Sequence, residues 1–308
     1  LKKQAKRKGG YVHLLIGNHE TMNVIGDLRY VAPGEFKAFT TKNSARLQEM
    51  QWERQVEWMQ ANVPEFADMD LEAYRLEWEK EVPLGWVEHR QAWSLNGEYG
   101  KWVKDNQVAI QVNDTIFLHG GISEKYCKFS LRSLTEQVIE AMQVNDPTMV
   151  NAMNDPLGPV WYRGLAETDE TDEVYSQTLD NILKRYGARR IVIGHTPTGG
   201  VVWPRFDQRV VANDTGIATH YGAHKGVLEL TAQGATAIYG DKRIPLPADN
   251  SGREDYLLAV IQADSNSGHL KQRLARMQAP PQAEAVAAGD ADNAQVEGAV
   301  TPVPGTCQ

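Results

Sequence analysis

At 308 residues the chain can hold one large α/β domain or two small ones. Its formal charge of -8 excludes the basic face of a nucleic-acid binder, and no apolar run approaches the length of a membrane span. Cys127 and Cys307 supply neither a disulfide framework nor a metal-ligand spacing. So few cysteines fit a cytoplasmic setting without deciding the compartment.

In chain order, Lys2 to Lys8 reads as the cationic end of a helix closed by Gly9 and Gly10. The apolar run His13 to Ile16 reads as a buried strand leading into Gly17-Asn18-His19-Glu20. Asp27 and Arg29, just beyond, are expected to form a local ion pair. Between Ser44 and Asn62 the residues Trp52, Val56 and Met59 recur at helical spacing, and Val63-Pro64 is a stop. Leu71 to Lys80 and Trp86 to Val103 read as further helices, the second broken near Gly97. This insertion, about residues 40–106, is expected to be a helical cap over the active site, with Trp86, Trp93 and Trp102 packed between its helices.

A second apolar run, Thr115 to Leu118, leads into His119-Gly120-Gly121, and Leu131 to Gln143 follows as an amphipathic helix. The turn formers of NDPLGPVWYRG place Arg163 on a loop, and Val174 to Tyr186 is a helix capped by Gly187. The third run, Ile191 to Ile193, leads into Gly194-His195-Thr196. Short strands then fall at Val201–Trp203, Arg209–Ala212, Gly226–Leu230 and Ala235–Tyr239, with a hairpin turn at Gln233-Gly234. Asp214 reads as a turn former, and His220 and His224 fall outside the site. Residues 1–250 make the main domain and 251–275 a docking segment, in which Asp255 to Ile261 is the last stretch expected to dock. Residues 276–308, rich in Ala, Pro, Gln and Gly, are expected to be a disordered tail.

Three strand-like runs therefore each end in glycine and metal-binding polar residues. In an open α/β sheet the ligand site lies beyond the carboxyl ends of the strands. Imidazole, amide and carboxylate donors without cysteine suit a catalytic zinc, iron, manganese or cobalt ion rather than a structural zinc knot.

GNHE, HGG and GHT in this order, with Thr21 to Val31 and Pro159 to Gly164, resemble the calcineurin-like metallophosphoesterases. Within them the resemblance is to the phosphoprotein phosphatase branch, and most to the Shewanella-like phosphatases, over about Gly9 to Leu230. The resemblance implies a four-layer α/β/β/α sandwich with a helical cap insertion, here lacking its first strands. It makes Asn18, His119 and His195 ligands of the second of two divalent metals (Mn, Fe, Zn or Co). It makes His19 the acid that protonates the leaving group, Arg163 the phosphate-binding arginine, and Glu20 a support of the catalytic loop. Two metals can activate a bridging water and stabilise an in-line displacement, and an imidazole supplies the leaving-group proton.

The family's GDxHG and GDxxDRG motifs, which furnish the first-metal ligands, occur nowhere in the sequence. Leu1 and the helix end that follows it read as a truncated start. The expectation is a phosphatase of phosphoproteins or small phosphoesters, using water and no phosphoenzyme, whose residues 1–308 alone bind at most one metal weakly and are inactive. The alternatives are a non-catalytic pseudophosphatase scaffold and a dinucleoside tetraphosphate hydrolase.

Overall fold

The computed structural model describes residues 1–146, 148–264, 266–279 and 307. Two compact units divide the chain. One comprises Leu1–Leu14, Asn18–Asn106 and Ile139–Pro147; the other comprises Leu15–Gly17, Gln107–Val138 and Thr148–Gln308.

The first unit is helical: α1 (Lys2–Arg7), α2 (Asn18–Ile25), α3 (Pro33–Ala38), α4 (Ser44–Asn62), α5 (Leu71–Glu81), α6 (Trp86–Trp93) and α7 (Glu98–Lys104). The helices expected between residues 44 and 103 are all present. Asp70 starts α5 by accepting the Glu72 and Ala73 N–H groups, and Gly97 caps α7 where the break was read. Trp52, Trp78 and Val82 form one small core, against which Val56, Tyr74 and Trp86 pack. His89 forms another, its ring edge-on to Phe36 and Phe39 and tilted against Trp93. Trp102 departs from expectation. It is 40% exposed, because Val103 and Gly100 take the buried face of the short α7.

Arg90 joins α6 to α2. Its guanidinium donates to the carbonyls of Asn23 and Val24, the last turn of α2, where carbonyls lack helical partners. Gly26, with φ of 92°, leaves room for that guanidinium. Asp27 and Arg29 pair at 2.7 Å, as expected.

The second unit carries both sheets. Strands β1 (Ala109–Val112), β2 (Thr115–Leu118), β3 (Arg190–Ile193), β4 (Trp203–Arg205) and β5 (Val210–Ala212) form a sheet of order β1-β2-β3-β5-β4. Its centre, β2-β3-β5, is parallel, and β1 and β4 run antiparallel at the edges. Strands β6 (Gly226–Thr231), β7 (Gly234–Tyr239) and β8 (Lys242–Pro245) form an antiparallel meander. Helix α8 (Leu131–Val144) begins in this unit, which also holds α9 (Gly164–Glu167), α10 (Glu173–Tyr186), α11 (Arg253–Ala263) and α12 (Gly268–Gln278). Ile116, Ile191, Ile193, Leu179, Leu257 and Leu270 are fully buried.

Several expectations are corrected here. His13 to Ile16 makes a single parallel bridge, Leu15 to Gln107, with Ile16 N–H on the Gln107 carbonyl, and no strand. The strand read at Val201–Trp203 begins at Trp203, because both backbone groups of Val202 go to tyrosine hydroxyls, those of Tyr239 and Tyr256. The hairpin turn falls on Ala232-Gln233, with Gly234 already paired to Thr231. Helix α12 docks through Leu270 beyond the segment read as last, and runs through Arg276 into residues assigned to the tail.

Cys127 and Cys307 form a disulfide across 180 residues of sequence, with Cα atoms 5.4 Å apart. Nothing local announces such a pair, since only folding brings Cys127 against Cys307. The remainder of the expected tail, 280–306 and 308, lies outside the described residues.

Candidate active site

Parallel pairing builds the centre of the site. The register of β2 on β3 sets Leu118 beside Ile193, so the segments leaving both strands emerge side by side, and Gly194 N–H bonds the His119 carbonyl at 2.8 Å. The rings that follow meet: His119 Nε2 lies 3.1 Å from His195 Nδ1. His195 is buried, with its backbone at φ of 65°, and a three-residue turn closes over it from Thr196 N–H to the Gly194 carbonyl at 2.7 Å. A positive φ at a non-glycine residue is uncommon and costly, and persists where the surroundings enforce it.

Each residue of the Trp161-Tyr162-Arg163-Gly164 segment is held in place. Trp161 Nε1 donates to the Met153 carbonyl at 2.7 Å, and the indole stands edge-on to the His195 ring. The Tyr162 hydroxyl shares a hydrogen bond of 3.0 Å with that of Tyr175, and burial pushes the Tyr162 phenol upward. Arg163 Nη1 donates to the His195 carbonyl at 3.1 Å and to Thr196 Oγ1 at 3.0 Å. Gly164 faces the Tyr162 hydroxyl so closely that a Cβ would sit 2.2 Å from it.

Gly120 and Gly121 tie this segment to HGG. Both N–H groups donate to the Pro159 carbonyl. A Cβ on Gly120 would lie 2.8 Å from that oxygen and 2.9 Å from the Tyr162 nitrogen. His119, Arg163 and His195 are thus brought together in one unit. Trp161 and Thr196, absent from the expected site, complete it; their signal was adjacency to Arg163 and His195 within the motifs.

Asn18, His19 and Glu20 open α2 in the other unit. Asn18 is buried and its carbonyl accepts the Thr21 hydroxyl at 2.8 Å. Glu20 is half-buried in the first turn, where a carboxylate suits the helix dipole. His19 is exposed and stacks on Tyr30 at 5.0 Å between ring centroids. Tyr30, beneath the Arg29 guanidinium, also escaped sequence reading.

Asp214 serves a turn, accepting Gly216 N–H with its carboxylate and Thr198 with its carbonyl. His224 is buried on Asp264 at 2.6 Å, away from the GHT segment's bonds, and His220 is exposed. A cavity of about 600 Å³ lies at the amino ends of β2 and β3, lined by Thr115, Phe117, Arg190 and Leu228. That is the opposite end of the strands from the histidines.

The imidazole pair fits a divalent ion. Two metal–nitrogen bonds of about 2.0–2.1 Å opened by about 100° span the observed nitrogen separation. The same separation lets one neutral ring donate to the other. Among the described residues no group of three or more His, Cys, Asp or Glu side chains gathers to hold a metal.

No family model matches the chain. It is 28% identical over 242 residues to an uncharacterized protein of Schizosaccharomyces pombe, covering 77% of this chain and 60% of that one. It is 23% identical to Shewanella-like protein phosphatase 2 of Arabidopsis thaliana, over 87% of this chain and 67% of that one. The crystal structure of a cold-active protein-tyrosine phosphatase from a psychrophilic Shewanella superposes with a TM-score of 0.56 at 24% identity, over 80% of this chain and 62% of that one. This likeness shows a shared fold. The chain is thus similar over most of its length to proteins longer than itself, among them the Shewanella-like protein phosphatases of Arabidopsis thaliana and Plasmodium berghei.

Proposed function

We propose that the chain is the body of a metal-dependent phosphoester hydrolase acting on phosphoproteins or small phosphomonoesters, with the four-layer α/β/β/α arrangement of its relatives. The observation that carries this reading is the convergence of the His119 and His195 imidazoles at the ends of β2 and β3, with Arg163 bonded to the same turn.

In this reading His119, His195 and Asn18 hold a divalent ion, which when bound supplies Lewis-acid stabilisation of the phosphoryl oxygens and an activated water. Arg163 offers a planar fork to two phosphate oxygens. The bonds from its Nη1 to the His195–Thr196 turn aim that fork. His19 delivers a proton to the leaving oxygen, and its exposure leaves it open to substrate. Glu20 supports the loop geometry. The helical insertion of about 40–106 restricts which phosphoesters enter. Because GDxHG and GDxxDRG are absent, residues 1–308 by themselves hold at most one metal, weakly, and hydrolyse slowly or not at all.

The test is hydrolysis of phosphoserine, phosphotyrosine and small aryl phosphates with manganese or cobalt. It is made on residues 1–308 and on the same residues supplied with a first-metal segment from a relative. Turnover by the complemented protein, lost about 10²–10⁴-fold in His19→Ala, is expected. Turnover unchanged by His19→Ala and His195→Ala sinks the proposal. A second reading is a non-catalytic scaffold, which predicts phosphopeptide binding without turnover even after complementation. Preference for diadenosine tetraphosphate over a phosphopeptide would instead indicate a dinucleoside polyphosphate hydrolase.

A further inference from the structure

We propose that Arg205, Arg253 and Arg273 form a binding site for a tetrahedral oxyanion of the phosphate type, made of residues distinct from the His119–His195 site. Three elements of the second unit deliver them: Arg205 ends β4, Arg253 begins α11, and Arg273 lies within α12. Trp203 is the floor. The Arg273 guanidinium lies 4.1 Å and that of Arg253 5.2 Å from its ring, while Arg205 stands 5.3 Å from the Phe206 ring.

The charges do not balance. Arg276, exposed one turn along α12, faces Arg273 and brings the guanidiniums to four, against two carboxylates. Glu170 contacts Arg253 Nη2 at 2.7 Å and lies 3.9 Å from Arg205 Nε, and it also accepts Phe206 N–H at 2.5 Å. Asp169 faces Arg205 from the exposed edge, with an oxygen already taken by Thr171. The Tyr175 phenol, also beside Arg205, is held neutral by burial. The surplus is positive, the sign that an oxyanion would neutralise.

Donors are also left over. The Nε atoms of Arg205 and Arg253 are buried with no hydrogen-bond partner among the described residues, although both arginines are only 9% exposed. The other bonds go to main-chain carbonyls, Arg205 Nη2 to Thr168 and Arg273 Nη1 to Thr198 at 3.4 Å. A buried charged N–H without an acceptor is costly, and guanidinium forks suit an oxyanion with several coplanar pairs of oxygens. Burial, then the neighbouring Arg205, Arg276 and Arg253, push the Arg273 guanidinium down to about 10, the direction that an anion would reverse.

The experiment is titration of residues 1–308 with inorganic phosphate against chloride of equal ionic strength, read by the arginine Nε–H resonances in a two-dimensional NMR spectrum. Saturable shifts at Arg205 and Arg253 are expected, at least tenfold weaker in Arg273→Gln and preserved in Arg163→Ala. If Arg273→Gln does not fold, Arg253→Lys, which keeps the charge and loses the fork, is expected to weaken the remaining shift, that of Arg205. Sulfate is expected to reproduce them. A phosphoserine peptide that moves the same resonances identifies a phosphoryl group carried on a chain as the ligand; response to inorganic phosphate alone identifies the free ion. Shifts that vanish in Arg163→Ala, or none at Arg205 and Arg253 beyond those in chloride, overturn the proposal.

Discussion

The Nε2 atom of His119 and the Nδ1 atom of His195 stand 3.1 Å apart at the carboxyl ends of two adjacent parallel strands. Neither residue could reach the other from its sequence neighbourhood. The pairing of β2 with β3 makes them neighbours, and the positive φ of His195 turns its ring into contact.

This pair is expected to bind one cobalt or zinc ion with low affinity. His119→Ala and His195→Asn should each weaken uptake at least tenfold, about 1.4 kcal/mol, measured by calorimetry. Asparagine tolerates positive φ, so His195→Asn should retain the thermal midpoint. His195→Val, β-branched at φ of 65°, should lower stability by about 1–3 kcal/mol. Tight uptake of two ions by elemental analysis would refute the single-site expectation.

Gly120 and Gly194 predict opposite outcomes for the same substitution. Gly120→Ala drives a Cβ against the Pro159 and Tyr162 backbone, and should destabilise by about 1–3 kcal/mol while displacing Arg163. Gly194→Ala meets nothing nearer than His119 at 3.6 Å and should cost under about 1 kcal/mol. Urea unfolding of the two variants decides.

His89 is fully buried between aromatic rings, and neither ring nitrogen has a hydrogen-bond partner among the described residues. Burial, aided by the Arg90 charge, lowers it from 6.5 to about 4. The unfolded chain therefore takes up this proton first as pH falls. The neutral ring's contribution is complete above pH 6.5 and is lost progressively toward pH 4, about 3 kcal/mol in all. In His89→Phe that part of the pH dependence should vanish from thermal melts; an unchanged slope would exonerate His89.

Under denaturing, non-reducing conditions neither Cys127 nor Cys307 should react with an alkylating reagent, by intact mass. Closing so long a loop restricts the unfolded chain, by up to about 5 kcal/mol on the chain-entropy account. Cys307→Ser should therefore lower the unfolding midpoint measurably, and two alkylated thiols in the untreated protein would contradict the bond.

Local pattern was enough for much of this molecule. The bounds of α4, the Gly97 break and the Gly187 cap were legible because helix periodicity and capping are written within a few residues. The strand-end glycines pointed to Asn18, His119 and His195, and the family resemblance to Arg163. What the tertiary structure decided were relations between distant residues. It reduced His13 to Ile16 to one bridge, since a strand exists only through its partner. It joined Cys127 to Cys307 and set Trp161 against His195. It also gathered Arg205, Arg253 and Arg273 around Trp203 from three elements. Spacing along the chain carries no term for contacts closed by folding, so only the tertiary structure sets these residues side by side.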